Sequence, residues 1–251
     1  MIQIFDHGAV RELRLDRPPA NALSPELVAA LRAAVESAPE AGAKALVLSG
    51  APGMFSGGLD VPHLIQLDRP AIAAAWRDFY ALMRGLAASP IPIVAAITGH
   101  SPAGGAVISL YCDARFMAEG DFRIGLNEVQ VGLPMPPVIF HALRRLVGPR
   151  QAERLSVTAQ LVPAAEAQRI GLVDELVAPE GLIARAIEWC NAVLALPPLA
   201  MAETRRLTRA DLISLFAENE AELSGLVDQW FSSETQGAMR ALVERLAKRK
   251  G

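Results

Sequence analysis

The chain has 251 residues, 52% hydrophobic and 20% charged, with a formal net charge of −3. That length can bury a sizeable core, and the charge excludes the bulk electrostatic attraction on which nucleic-acid binding depends. No apolar run reaches the roughly 18 residues of a membrane span, and the start, MIQIFDHGAVRELRLD, has no basic leader followed by an apolar segment. A cytoplasmic protein is expected, with neither nucleic acid nor membrane as a partner. Cys112 and Cys190 lie far apart and outside any metal-ligand spacing. They read as buried thiols, with no disulfide framework and no metal site expected.

The opening residues alternate like a strand, and Val10, Leu13 and Leu15 interleaved with Arg14 and Asp16 continue that pattern. RPPAN then makes an irregular turn, after which Ser24 followed by Pro25 suits a helix start, since proline at the first helical position loses no hydrogen bond. Leu27, Val28, Leu31 and Val35 give that helix one apolar stripe. ALVLSG (45–50) reads as a buried strand entering a glycine-containing loop, APGMFSGGLD. Ile72, Trp76, Phe79, Met83 and Leu86 mark a long amphipathic helix, and IVAAI (93–97) a second buried strand that enters the turn TGHSPAGG. A helix is expected from Gly104, a strand at ARFMA (114–118), then FRIGLNE and further helices. Alternating strands and helices predict an α/β core with a mainly parallel sheet. From about residue 179 the strand signal disappears. The pattern predicts an α/β core over 1–178 and a helical region over 179–251. Leu223, Leu226, Val227, Trp230 and Phe231, and then Met239, Leu242, Val243 and Leu246, recur at helical spacing and need a partner surface, either the core or another subunit.

Two segments, MFSGGLD (54–60) and TGHSPAGGA (98–106), place small residues just after a buried strand. Glycines there let backbone approach a ligand, and a following helix start leaves N–H groups unpaired. Two such turns on neighbouring strands can aim two N–H donors at one oxygen, as an oxyanion hole does. Taken singly, each turn serves packing equally well. Neither matches a dinucleotide-binding or P-loop pattern. GHSPA also resembles a hydrolase nucleophile elbow with Ser101 as nucleophile. Against this, the next residue, Pro102, has no N–H to give, and the only later histidine is His141, in an apolar helical pattern.

RPPANALSPELVAAL, MFSGGLD, TGHSPAGGA and FRIGLNEVQVGL, in this order and spacing, resemble the signature segments of the enoyl-CoA hydratase/isomerase (crotonase) superfamily over nearly the whole chain. SPAGG and IGLNE-x-Q-x-G are most similar to the mitochondrial-type Δ3,Δ2-enoyl-CoA isomerases. The resemblance implies a crotonase-like spiral of ββα units with a C-terminal helical trimerisation region, hence a homotrimer or a dimer of trimers. It also implies an acyl-CoA thioester as substrate, with no separate cofactor. The oxyanion N–H groups would be those of Leu59, following Gly58, and Gly104. Ala20, Asn21 and Ala22, with the loop of Ser56, Gly58 and Asp60, match the region that binds CoA. Hydratases of this superfamily carry one glutamate three residues beyond the second oxyanion glycine, and Val107 stands there; their second acid corresponds to Glu128.

Adding water across a conjugated enoyl thioester asks for groups that activate water and also protonate C2. Moving a double bond from C3 to C2 asks only that one base take a proton from C2 and return it at C4. A single carboxylate in apolar surroundings, here expected from Val107 and Leu126, suits that shuttle, because desolvation raises its pKa toward the operating pH. The expected activity is therefore isomerisation of 3-enoyl-CoA to 2-trans-enoyl-CoA in fatty-acid breakdown. The alternatives are a hydratase or other acyl-CoA lyase with a second acid from elsewhere, and a non-catalytic acyl-CoA binder. Without the flanking turns, Glu128 would read as an ordinary surface or ion-paired carboxylate. Asp60 reads as a capping residue, and His63 and His100 as loop hydrogen-bonding residues. Lys248 or Lys250 is a candidate contact for the CoA phosphates.

Overall fold

The computed structural model describes residues 1–217 and 220–248. In chain order its strands are β1 (Ile2–His7), β2 (Val10–Leu15), β3 (Ala45–Ser49), β4 (Gly53–Met54), β5 (Ile93–Ile97), β6 (Gly99–Pro102), β7 (Ala114–Ala118), β8 (Arg123–Gly125), β9 (Val162–Pro163) and β10 (Glu175–Val177). The helices of the first half are α1 (Pro25–Ser37), α2 (Val61–Leu64), α3 (Arg69–Ala88) and α4 (Gly104–Leu110). Then follow α5 (Pro137–Val147), α6 (Pro149–Thr158), α7 (Ala164–Arg169), α8 (Leu182–Leu194), α9 (Pro198–Thr208), α10 (Ala210–Ser214), α11 (Glu220–Trp230) and α12 (Ser233–Lys248).

The unalternating apolar runs ALVLS, IVAAI and ARFMA form β3, β5 and β7, each buried at every residue, as befits parallel strands covered on both faces. They are the middle of a six-stranded sheet ordered β1-β2-β3-β5-β7-β10, antiparallel only between β1 and β2. The register Leu46↔Ile93, Val47↔Val94 and Ile97↔Met117 sorts side chains onto two faces. Leu46, Leu48, Ile93, Ile97 and Met117 join the main core, which α1 and α3 cover. Ala45, Val47, Val94, Ala96 and Phe116 meet Leu182, Ala186 and Cys190 of α8 on the opposite face. Both cysteines are buried free thiols.

The two glycine-rich turns hold more structure than the sequence suggests. Each contains a short strand, β4 or β6, and these pair in parallel within a second sheet ordered β4-β6-β8-β9. Strands of two to four residues are too short to display a period-two pattern, which is why these read as loops. Helix starts follow the caps: Ser24 Oγ accepts from Leu27 N–H at 3.3 Å, and Asp68 Oδ1 from Ala71 N–H at 2.9 Å.

The apolar stripe of α11 finds its surface within the chain. Leu223, Leu226, Val227 and Trp230 are buried against the main core, where Trp230 stands edge-on to Trp76 of α3 with ring centroids 6.3 Å apart. No second subunit is needed to cover it. Met239 of α12 is fully buried, whereas Leu246 is 37% exposed. Arg205 and Arg209 fasten the α9–α10 junction to Asp113, each with a contact of 2.9 Å, and Asp113 also accepts from Ile93 N–H at 2.7 Å. Among the described residues no single helix is long and apolar enough to cross a membrane.

Candidate active site

The turn after β2 and the loop after β4 are tied together by a polar lattice. Asn21, held at φ 49°, receives Arg17 N–H on its Oδ1 at 2.8 Å and donates from Nδ2 to Phe55 O at 3.1 Å. Ser56 Oγ donates to Asn21 O at 2.8 Å and accepts from Gly58 N–H at 3.2 Å, while Gly57 N–H reaches Ala20 O at 2.7 Å. Ala20, Asn21, Ala22, Ser56, Gly58 and Asp60 are thus joined in one network, in which Asn21, Ser56, Gly58 and Asp60 are buried and only Ala20 and Ala22 keep surface; none of the six lines the cavity that holds Glu128. Asp60 caps α2 by accepting from His63 N–H at 3.3 Å and pairs with Arg17 at 2.5 Å, so its carboxylate is engaged structurally. Arg17, whose guanidinium also donates to Ala22 O, was missed in sequence; the cation at the head of RPPAN was its only signal.

Leu23 forms a parallel bridge across this loop, donating to Gly58 O at 2.8 Å and accepting from Asp60 N–H at 3.1 Å. That pattern uses the residues on either side of Leu59 and leaves the Leu59 N–H without an acceptor among the described residues. Gly104 opens α4, and a first-turn N–H has no intrahelical partner. The two donors are neighbours. A Cβ on Gly104 would lie 3.5 Å from Leu59 N, and one on Gly58 would lie 3.3 Å from Gly104 N and only 2.9 Å from Ala103 Cβ. Gly58 sits at φ +85°, a conformation that glycine adopts without strain. Ala103, at φ 47°, is pinned by its N–H to Gly125 O at 2.8 Å. Backbone strain of this kind gathers at functional sites.

Glu128 begins a single 3₁₀ turn, Glu128–Val131, that ends at Gly132 in the left-handed conformation. The Gly132 carbonyl accepts from Thr235 Oγ1 at 2.7 Å and Gln229 Nε2 at 3.2 Å, so the junction of α11 and α12 anchors the turn. Neither residue carried a sequence signal, because the contact spans about a hundred positions. The Glu128 side chain is buried, and its Oε2 has no hydrogen-bond partner among the described residues. Burial pushes its pKa from 4.5 up to about 7, partly offset by a backbone hydrogen bond.

Leu59, Gly104 and Glu128 meet at one cavity of about 190 Å³, walled by apolar side chains including Trp76, Phe79, Val131, Leu133 and Ile139. Val107 and Leu126 do not line it. Both are buried, but they face the main core, and the apolar surroundings of Glu128 come from the residues after it and from α3 and α5. Glu128 is the only carboxylate among the described residues lining the cavity. Ser101 is fully buried on β6 and not part of the lining. His100 Nδ1 accepts from Arg123 N–H at 3.2 Å, and His63 lies on α2 away from the lining. Lys248 borders an open cleft with Gln130 and Arg245 that shares Leu242 and Leu246 with the cavity. Lys250 lies outside the described residues. Among the described residues, no group of three or more histidine, cysteine, aspartate or glutamate side chains could hold a metal ion.

Two adjacent backbone donors and a buried carboxyl group whose pKa is raised to about 7 share one apolar cavity, and together they are equipped to polarise a carbonyl and move a proton beside it. The sequence model described as enoyl-CoA hydratase/isomerase matches residues 6–250. The chain belongs to the enoyl-CoA hydratase/isomerase family. It is 32% identical to human mitochondrial enoyl-CoA delta isomerase 1 over 98% of this chain and 83% of that protein. It is 31% identical to a putative enoyl-CoA hydratase of Thermus thermophilus, with 98% of each covered. Among solved structures it superposes on human mitochondrial delta3-delta2-enoyl-CoA isomerase with a TM-score of 0.95 at 29% identity, covering 100% of this chain and 99% of that one. An enoyl-CoA hydratase/isomerase from Mycobacterium paratuberculosis gives 0.87 at 25% identity, with 96% and 97% covered. The crotonase fold of this enoyl-CoA hydratase/isomerase family member follows from those superpositions.

Proposed function

We propose that the protein is a Δ3,Δ2-enoyl-CoA isomerase. The observation that carries this is Glu128, alone as a carboxylate among the described residues lining the cavity, with Val107 buried where a hydratase of the family carries its other acid. In the proposed reaction the thioester carbonyl accepts from Leu59 N–H and Gly104 N–H, and ionised Glu128 takes a proton from C2. The electron pair of that C–H bond becomes a C1–C2 double bond as the carbonyl pair moves onto oxygen, and the C3–C4 double bond conjugates with it to complete the dienolate. Protonated Glu128 then returns the proton at C4, leaving the double bond between C2 and C3. A pKa near 7 makes the same group a sufficient base and a sufficient acid.

Ala20 and Ala22 would meet CoA, while Asn21, Ser56, Gly58 and Asp60, buried behind them, would hold the loop that brings the thioester to the two donors. CoA enters as part of the substrate. The reading includes a homotrimer or a pair of trimers, for which the exposed Leu199 (86%) and Leu207 (67%) on α9 supply unpartnered apolar surface. The deciding experiment compares formation of the conjugated thioester from a 3-enoyl-CoA with hydration of a 2-enoyl-CoA. Dominant isomerisation is expected. Dominant hydration would replace this function with a hydratase, and binding of acyl-CoA without any C2 proton exchange into deuterated water would make the protein a non-catalytic binder.

A further inference from the structure

The cavity that holds Glu128 has two unlike ends. Toward α12 it shares Leu242 and Leu246 with the open cleft of Gln130, Arg245 and Lys248, where charge and solvent meet it. Toward α3 it shares Leu59, Trp76 and Phe79 with a second void of about 20 Å³ lined only by apolar side chains, among them Leu23, Ile72 and Trp230. Leu59, Trp76 and Phe79 are therefore the partition between the two spaces. Trp76 is the rigid member of that partition. Its ring stands 6.3 Å from Phe79 and 6.3 Å from Trp230, at 60° and 81°, so both edge-to-face contacts hold one orientation. The Trp230 Nε1 beyond it is buried without a partner among the described residues.

We infer that Trp76 closes the acyl-tail pocket and sets the upper length of the acyl chain the enzyme accepts. This rests on the isomerase function proposed above, since it presumes a thioester carbonyl at Leu59 and Gly104. An acyl-CoA is charged at one end and apolar at the other, and the cavity is polar and open at one end and apolar at the other. Each methylene that finds apolar cover adds about fourfold in affinity. A tail that reaches Trp76 gains nothing from further carbons, because the indole occupies the space between the cavity and the void. Shortening Trp76 to alanine merges the two and supplies cover for a longer tail.

The test is Trp76→Ala beside Trp76→Phe, which keeps an aromatic packing partner should the alanine variant fail to fold, and Ile139→Ala, which enlarges the same cavity at α5. Rates are measured on hexenoyl-, decenoyl- and tetradecenoyl-CoA with the double bond at C3, and affinities on the corresponding saturated acyl-CoAs. The expected result is that Trp76→Ala raises the tetradecenoyl-to-hexenoyl ratio of kcat/KM at least tenfold; the ratio is the readout because a change in the surroundings of Glu128 acts alike on every chain length. Trp76→Phe moves the ratio the same way by less, and Ile139→Ala leaves it unchanged. An equal loss on all chain lengths, or a shift produced by Ile139→Ala and by neither Trp76 variant, overturns the inference. If no variant isomerises, the saturated series still decides: a tail-length shift in affinity with Trp76→Ala sustains the gate while the isomerase function falls.

Discussion

Replacing Glu128 by glutamine should stabilise the protein, and by an amount that depends on pH. The carboxyl titrates near 4.5 in an unfolded chain and at about 7 in the native site. Between those values the native state holds a proton that the unfolded state has released, so stability falls as pH rises through that window. Below about 4.5 both states are protonated and ionisation costs nothing; above about 7 the buried ionised carboxylate carries its full penalty. The shift corresponds to roughly 3 kcal/mol. Glutamine never ionises, so at about pH 8 the Glu128→Gln variant should be more stable by up to that amount, which for a chain of this size is a rise of roughly 6–12 °C in Tm. Thermal melts of both proteins across the window provide the assay. The two Tm values should converge toward acid and diverge toward alkali. A Tm difference that is independent of pH, or that grows toward acid, would refute the assignment of Glu128 as a desolvated, unpaired carboxyl.

The same titration governs the rate, since proton removal from C2 needs ionised Glu128. The profile of kcat/KM should fall about tenfold per pH unit below about 7 and level off above it; a plateau persisting down to about pH 5 would contradict it. Gly58→Ala puts a methyl 2.9 Å from Ala103 Cβ at φ +85°, displacing the two donors. Its kcat should drop on the order of a hundredfold, read by steady-state kinetics, with unchanged kcat counting against the oxyanion arrangement. Asp113→Asn strips Arg205 and Arg209 of their shared carboxylate and should cost about 3 kcal/mol in denaturant unfolding. A loss below about 0.5 kcal/mol would show those pairs to be surface-like.

Much of the fold was legible because its central strands are unbroken apolar runs and its helices carry caps and stripes at regular spacing. β3, β5 and β7, the Ser24 cap and the stripe of α3 all follow from local pattern. The second sheet did not, because β4 and β6 are a few residues of glycine and small side chains whose pairing is set by distant partners. At the site, Leu59, Gly104 and Glu128 converge on one cavity, as the combination of segments implied. The surroundings of Glu128 were misassigned to Val107 and Leu126. Those residues neighbour the key positions in sequence, but Val107 on α4 and Leu126 just after β8 turn into the core, and the true walls come from α3, α5 and the turn after Glu128. The anchoring of that turn by Thr235 and Gln229 lies beyond sequence reach for the same reason: the hydrogen bonds join segments that no short-range pattern connects.

The central claim is that one carboxylate moves the proton. Turnover of a 3-enoyl-CoA by Glu128→Gln, measured beside the affinity of that variant for a saturated acyl-CoA, tests it most directly. Glutamine keeps the shape and removes the base, so isomerisation should fall by roughly a thousandfold or more while acyl-CoA affinity stays within a few-fold of wild type. Undiminished isomerisation by the folded, acyl-CoA-binding variant would contradict the account.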